Sequence, residues 1–443
     1  MATAKSPNYA WVVATGGFFA GIAAIAGPQI WGYVSPYIAE AFKIAPTDIA
    51  WGASLYQLTC GVFGFFVGML GDRFGARKLV ALGLIGMGIC YILGGVTGGA
   101  SPIGPCIFYG IAGLFAAFAL VILLPKLISD WFAPQLRARG MLLNVLGGTA
   151  TGALMGIILP VVILKSGWAV AFGGVGVVLI IAGIIWFLMV RDNPYDEGTI
   201  PLGYTPEEAE RMRAPELTAE EKEAKKKEDR ANVIKALKYP VTWIFALSMI
   251  LWFWMFVGAN VYQVGAIMEA GFSIKVAGGI GTAIMIANLV GLALWPTLSD
   301  KILSRKLFFG GLLLGAAVMY LIAFFYLKGG GNNTFVLFAI FVILGIFTIT
   351  APIQQTLYCE VYPPNLRNAG PGVLITIATI GAATAPIIGG WWTGLFGGSL
   401  VYIFLFTALS AVGAALVAIF GLPKTGGKYG DPLLEKYLEE EGK

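Results

Sequence analysis

Asp72, Arg73, Arg77 and Lys78 place four charges within seven residues, in the stretch GMLGDRFGARKLV that runs from Gly68 to Val80. Gly68, Gly71 and Gly75 punctuate it, which allows a tight turn and close approach of neighbouring helices. The chemistry open to such a knot is electrostatic: an acid and several bases at a hydrated edge can pair, part and pair again. Other chemistry is scarce. Histidine is absent, which removes the commonest metal ligand and the commonest acid–base group near neutral pH. Cys60, Cys90, Cys106 and Cys359 show no metal-ligand spacing, and most sit in or beside apolar runs, where they read as small buried hydrophobes. With no buried nucleophile, acid–base pair or metal set visible, an enzyme is disfavoured and no cofactor is expected.

The charged knot returns. Asp72-Arg73 followed by Arg77-Lys78 reappears as Asp300-Lys301 followed by Arg305-Lys306, 228 positions further on. A second pair stands at nearly the same offset: DWFAPQLRARG (Asp130 to Gly140) parallels EVYPPNLRNAG (Glu360 to Gly370), 230 positions further on. Each opens on an acid, has an aromatic third and a proline fifth, then leucine-arginine, and closes on glycine. Two independent matches at nearly one offset make the chain two parallel repeats.

The elements that carry these motifs must live in lipid. Of the 443 residues 58% are hydrophobic and only 12% charged, about half the usual soluble share, and the mean hydropathy is +0.81. Apolar runs of bilayer-spanning length recur down the chain, and such runs must satisfy their own backbone hydrogen bonds as helices. Twelve spans are predicted: 9–38, 49–70, 78–98, 103–127, 139–164 and 168–190, then 240–267, 275–298, 306–327, 333–358, 368–394 and 398–422. The fold class is an all-α membrane protein of twelve transmembrane helices in two pseudo-symmetric six-helix bundles. The divisions are a bundle over 1–190, a charged linker over 191–238, a second bundle over 239–422 and a tail over 423–443. The apolar run from Tyr9 is too long for a signal-peptide core and reads as an uncleaved first helix.

In the linker, Thr205-Pro206-Glu207-Glu208 reads as an N-cap, a proline at the first helical position and acids in the first turn. Thr218 with Glu221 is a second capping box. One or two surface helices follow, in a segment that serves either as a solvated connector or in regulation. If Gly71–Lys78 faces the cytoplasm, the outer loops hold only four of the 29 lysines and arginines: Lys43, Lys165, Lys275 and Lys328. The asymmetry places the linker and both termini in the cytoplasm, in a multi-pass protein of the cell membrane. The net charge of +5 is clustered this way, so a nucleic-acid partner is not expected. The expected partners are the lipid bilayer and a small-molecule solute, for a protein working as a monomer.

Gly68-x-Leu70-Gly71-Asp72-Arg73-x-Gly75-x-Arg77-Lys78 resembles the signature between helices 2 and 3 of the major facilitator superfamily, and Pro296–Lys306 resembles its degenerate copy between helices 8 and 9. The resemblance covers the whole chain. It implies two six-helix bundles rocking around a central site in alternating access. Asp72 can then face a helix N-terminus or a basic residue of the other half. Asp72, Arg73, Arg77, Asp130, Arg137, Asp300, Glu360 and Arg367 form the expected gate set, with pairs that hold one state and break in another. Positive-inside topology alone is the plainer account of the same charges.

Substrate sites in such transporters lie near mid-membrane, and intramembrane ionisable residues usually mark them. Here no Asp, Glu, Lys or Arg lies deep within any span, and only edge acids such as Glu40, Asp48, Asp130 and Glu360 are placed to titrate. Neutral groups remain. Those expected to bind substrate are Gln29 beside Pro28, Tyr56, Gln57, Asn260, Gln263, Asn288, Gln354 and Tyr358. Helices 1, 4, 7 and 10 line the cavity in this superfamily, which favours Gln29, Asn260, Gln263 and Gln354. Interhelical hydrogen bonding is the alternative for each. Trp252 and Trp254 read as packing or lipid-facing. The stripes GGTATGALMG (Gly147–Gly156) and GAATAPIIGG (Gly381–Gly390) let backbones approach closely, as a sliding interface requires.

Within the superfamily, WGASLYQL leading into GDRFGARK, and ALKYPVTWIFAL entering the seventh helix, are similar to the oxalate:formate antiporter and monocarboxylate transporter group. That favours a small carboxylate. Those families place an arginine or lysine in helix 8 or 11 and this chain has none there, so an anion would rest on amides, hydroxyls and helix ends at Pro28 and Pro352. The alternative is a uniporter or exchanger of a neutral, zwitterionic or quaternary ammonium solute, which an aromatic uncharged cavity suits. A transporter-like sensor is disfavoured, since neither linker nor tail is large enough for a signalling domain.

Overall fold

Apolar runs cut off from water coil into helices, and their charged connections stop them. The computed structural model describes residues 6–119, 123–212, 219–299, 301, 304–367, 369–426, 429 and 433. The chain divides into two compact units, Met1–Glu216 and Leu217–Lys443. The N-terminal unit holds α1 (Tyr9–Phe42), α2 (Ala50–Phe74), α3 (Ala76–Thr97), α4 (Ile103–Ala119), α5 (Leu123–Trp131), α6 (Pro134–Ser166), α7 (Trp168–Met189) and the short α8 (Pro206–Met212). The C-terminal unit holds α9 (Ala219–Lys238), α10 (Pro240–Glu269), α11 (Ile274–Ser299), α12 (Arg305–Lys328), α13 (Thr334–Thr348), α14 (Ala351–Glu360), α15 (Ala369–Gly394) and α16 (Ile403–Gly421). Among the described residues, eleven stretches are long and apolar enough to cross a membrane. The twelfth expected span is α2. Its 25 residues reach about 37 Å against a hydrocarbon layer of roughly 30 Å, and its only charges, Asp72 and Arg73, lie at its end.

The helices are laid down alike in the two units. In the N-terminal unit α1 packs on α6, α3 on α7 and α2 on α4; in the C-terminal unit α10 packs on α15, α12 on α16 and α11 on α13. The small-residue stripes serve these contacts. A Cβ on Gly147 would meet the Phe18 backbone of α1, and one on Gly381 would meet the Ile250 backbone of α10. These glycines therefore let two helices of one unit approach closely, as expected of both stripes.

The apolar span of the fifth crossing starts at Arg139, as expected, and its helix α6 extends back to Pro134, because Ala133 is extended and proline suits the first helical turn. The tenth span is corrected: it is not one helix but two, parted at Ile349 and Thr350. The segment 191–238 contributes to both units. Its first part docks on the N-terminal unit: Leu202 N–H donates to the Trp131 carbonyl and Ala133 N–H to the Leu202 carbonyl, both at 2.9 Å, and Trp131 Nε1 donates to the Arg191 carbonyl at 2.9 Å. Helix α9 packs on α10 and α15 of the C-terminal unit. The Thr205 capping box forms, with Thr205 N–H on Glu208 Oε2 (2.9 Å) and Glu208 N–H on Thr205 Oγ1 (3.3 Å). Thr218 lies outside the described residues.

The close approach at α1 and α6 sets an expected outcome. Gly147→Ala should cost about 1–3 kcal/mol, since a methyl group there forces two backbones apart. At Gly174, which faces open space, alanine should be neutral or stabilising by up to about 1 kcal/mol as the better helix former. Thermal unfolding of both variants in one detergent checks the pair; equal melting temperatures would mean that α1 and α6 do not touch at Gly147.

Candidate functional site

Among the described residues, regular helix is interrupted inside a span between α13 and α14. Pro352 has no N–H, and its ring excludes the helical position of the Thr348 carbonyl four residues back. Thr350 N–H turns to the Thr348 carbonyl (3.0 Å), so it leaves the Ile346 carbonyl it would serve in a helix. In lipid that carbonyl needs another donor. Trp295 Nε1 of α11 supplies it at 2.6 Å. Beyond the break the Thr350 carbonyl accepts the N–H groups of Ile353 (3.1 Å) and Gln354 (3.0 Å), which starts α14.

Side chains gather on these two threonines. The Thr350 hydroxyl accepts from Trp252 Nε1 of α10 (3.1 Å) and from Gln354 Nε2 (2.9 Å), and Gln354 is 4% exposed. The Thr348 hydroxyl donates to Asn288 Oδ1 of α11 (3.3 Å). Trp252 stacks on Phe256, with ring centroids 5.1 Å apart. One turn beyond Gln354, the Tyr358 hydroxyl reaches Met249 Sδ (3.7 Å) and its ring packs on Phe245 at 5.4 Å. Of the expected binding residues, Asn288, Gln354 and Tyr358 thus share one region of the C-terminal unit. Neutral donors and acceptors from α10, α11 and α14 converge there, and among the described residues no carboxylate, lysine or arginine is bonded to them. The arrangement offers hydrogen-bonding groups of the kind a polar solute needs.

The remaining binding residues lie apart from that cluster. Asn260 Nδ2 donates back to the Phe256 carbonyl of its own helix (2.8 Å), and Gln263 is half-buried further along α10. Gln29 and Gln57 are half-buried on α1 and α2. Tyr56 is 2% exposed and stacked on Tyr109 at 4.6 Å, with Trp31 also stacked on Tyr109 at 4.6 Å. A Cβ on Gly27 would meet the Tyr56 hydroxyl, so the missing side chain of α1 admits the tyrosine into the unit's core. Trp252 and Trp254 do not simply face lipid; the Trp254 indole donates to Thr384 Oγ1 at 3.0 Å, tying α10 to α15.

The gate set resolves into two edges. In the N-terminal unit, Arg77 N–H donates to Asp192 Oδ1 (2.7 Å), Arg77 Nε donates to the Phe187 carbonyl (2.8 Å), and the guanidinium lies 4.3 Å over the Phe187 ring. Arg73 is exposed, 5.2 Å from the Phe74 ring. Asp130 is exposed, with Lys126, Arg137 and Asp192 as its charged neighbours. Arg137 Nε donates to the Phe132 carbonyl at 3.1 Å, and Arg367 Nε donates to the Tyr362 carbonyl at 3.1 Å. These two arginines each close the loop of their own repeat, where a turn leaves a carbonyl in need of a donor. In the C-terminal unit Arg305 Nε meets Glu360 Oε1 at 2.6 Å, each side chain 15% exposed. Asp72 lies on α2, but its side chain is outside the description, and Asp300 lies outside the described residues.

Sequence reasoning missed Thr348, Thr350, Trp295, Asp192 and the pairing role of Arg305. Pro352 two positions beyond a threonine in an apolar run was the available signal for the break. Asp192, directly after a span, carried no comparable signal.

The sequence pattern of the Major Facilitator Superfamily matches residues 13–280 and 263–436. The hexuronate transporter of Bacillus subtilis (strain 168) is 22% identical over 416 residues, 91% of this chain and 92% of that protein. The membrane sensor protein UhpC of Salmonella typhimurium is 24% identical over 308 residues; the match spans 66% of this chain and only 65% of the sensor's length. Among solved structures, a D-xylose–proton symporter superposes with a TM-score of 0.70 at 15% identity, covering 94% of this chain and 97% of that one. A bacterial homologue of the human lysosomal transporter Spinster, inward-facing and unoccupied, gives 0.67 at 17% identity, covering 93% and 97%. At these identities the structures speak for the fold alone.

The repair at the helix break predicts a specific sensitivity. Trp295→Phe keeps the ring but leaves the Ile346 carbonyl without its donor, at a cost of about 1–3 kcal/mol. Thr350→Val should cost as much, since two donors lose one acceptor. Thermal unfolding in detergent measures both; wild-type stability in each variant would show that the break is satisfied some other way.

Proposed function

The chain belongs to the Major Facilitator Superfamily, and on that premise we propose that it carries a small organic anion of the carboxylate class across the cell membrane by alternating access. The observation that carries this reading is the neutral hydrogen-bonding cluster at the start of α14. Thr350, Gln354, Trp252 and Asn288 offer hydroxyl, amide and indole groups inside a span. Helix α14 starts at the same point, and the positive end of a helix dipole favours an anion without a charged side chain. A hexuronate, which the Bacillus subtilis relative is named for, is a carboxylate that also bears hydroxyls. That relative favours a sugar acid over the oxalate:formate and monocarboxylate group.

A second reading is a neutral or quaternary ammonium solute. The stacked Trp252–Phe256 pair favours it. In either reading the charged loops and both termini face the cytoplasm, the protein works as a monomer, and Asp72, Asp300 and the edge arginines bias the gate. Transport runs on the solute gradient or by exchange, because no acid or base lies deep within a span to bind and release a proton.

Proteoliposomes loaded with a hexuronate, a hexose phosphate, a neutral hexose or a betaine separate the readings by counterflow. Hexuronate exchange is expected, with no uphill accumulation under an imposed pH gradient for a solute that does not itself titrate. Exchange of the betaine or neutral hexose with none of the hexuronate would replace the first reading by the second. For the accepted solute, Gln354→Ala should weaken binding about tenfold, as a polar group of the solute loses its partner. Asp72→Asn should slow exchange and leave equilibrium binding nearly unchanged, because the residue biases conformations rather than touching solute. Abolished binding in Asp72→Asn would move that residue from gate to site.

A further inference from the structure

We propose that Asp192 is a positioning residue for transport: it fastens the chain leaving α7, as a strap, to the first turn of α3 and so holds the charged turn Asp72–Lys78 in place. Helix α3 begins at Ala76, directly after Gly75, and the first N–H groups of a helix have no partner within it. Asp192 Oδ1 takes the N–H of Arg77 at 2.7 Å. A carboxylate is the favoured group at that end of a helix dipole. Gly75 has φ of +82°, and a Cβ on it would collide with the Asp192 carboxylate. The third glycine of the motif therefore has two reasons to be glycine, its backbone angle and the acid lying against it.

The strap is fastened at other points. Trp186 Nε1 donates to the Arg77 carbonyl at 3.0 Å, and Arg77 Nε returns to the Phe187 carbonyl at 2.8 Å. Arg191 pairs with Glu197 at 3.1 Å, and its carbonyl accepts from Trp131 Nε1 at 2.9 Å. Asp192 thus stands between the α2–α3 turn and the loop after α5, with Asp130 as a charged neighbour. Both charged loops of the N-terminal unit are tied to one short segment.

The C-terminal unit repeats the device with different chemistry. Arg305, 228 positions after Arg77, opens α12, and its N–H donates to the Thr425 carbonyl at 2.8 Å. Lys306 Nζ donates to the Leu422 carbonyl, and Gly426 packs against the Arg305 side chain. In both units, then, the segment after the sixth span caps the arginine that opens the third. Only in the N-terminal unit is the cap a side chain, which makes it open to substitution.

The effect on transport rests on the reading proposed above; the strap itself is tested without it. Full-length protein carrying Asp192→Ala or Asp192→Asn is compared with wild type by hydrogen–deuterium exchange. Asn keeps an acceptor oxygen at Oδ1, whereas Ala removes it. Asp192→Ala should speed exchange at Arg77 about tenfold, the value of one lost hydrogen bond, and Asp192→Asn should restore most of the protection. In proteoliposomes Asp192→Ala should lower the maximal exchange rate several-fold with KM unchanged, again recovered in Asp192→Asn. Unchanged amide exchange in Asp192→Ala overturns the strap, whatever the solute proves to be. Faster amide exchange with an unaltered transport rate overturns the positioning role. Equal loss of rate in both variants alongside equally lowered melting temperatures also overturns it, since that is general destabilisation. If no solute in the panel is carried, the amide-exchange result still decides the strap while the transport reading fails separately.

Discussion

In the lipid-facing part of a span no water is available to a backbone group, and each departure from regular helix must be repaired from within the protein. Pro352 removes one N–H and displaces another; Trp295 and the two threonines restore what is lost. The repair collects indole, amide and hydroxyl groups in the middle of an apolar bundle. The polar cluster offered for a solute lies beside that repair, with Trp252 and Gln354 on the Thr350 hydroxyl and Asn288 on that of Thr348. A buried charge is not needed to create it, which fits a sequence with no acid or base deep in its spans.

Where the spans end and hydration returns, charge takes over, and both units handle their edges alike. The loops of the two repeats close through the same bond, arginine Nε to the carbonyl of an aromatic residue five positions earlier, at 3.1 Å in each. Phe132 and Tyr362, the aromatics concerned, are fully buried and anchor the loops. The units differ in what surrounds that shared frame. Glu360 grips Arg305 in a pair with little exposure, whereas its counterpart Asp130 stays exposed among Lys126, Arg137 and Asp192. A charge-assisted contact with little exposure is stronger than an exposed one.

The order and approximate extent of the apolar spans could be read from the chain because they depend on local quantities: the length of apolar runs and the placement of proline and glycine; the parting of the tenth span into α13 and α14 could not. The repeat was legible for a similar reason, since Asp130–Gly140 and Glu360–Gly370 keep residue types that a recurring loop geometry needs. The candidate site carried less signal. Asn288, Gln354, Tyr358 and Tyr56 all stood out as polar residues in apolar runs; that the first three share one region, and that Tyr56 packs against Gly27 and Tyr109, could not be read from the chain. Periodicity cannot tell a tyrosine that lines a cavity from one that fills a gap. That Trp295 would seek the Ile346 carbonyl, 51 residues away, or that Asp192 would cap Arg77 across 115 residues, follows only from which helices pack together. Hydrophobic patterning decides that a helix forms. The partner of each polar group is decided by close approach across the bundle, where an unsatisfied donor or acceptor has no water to turn to.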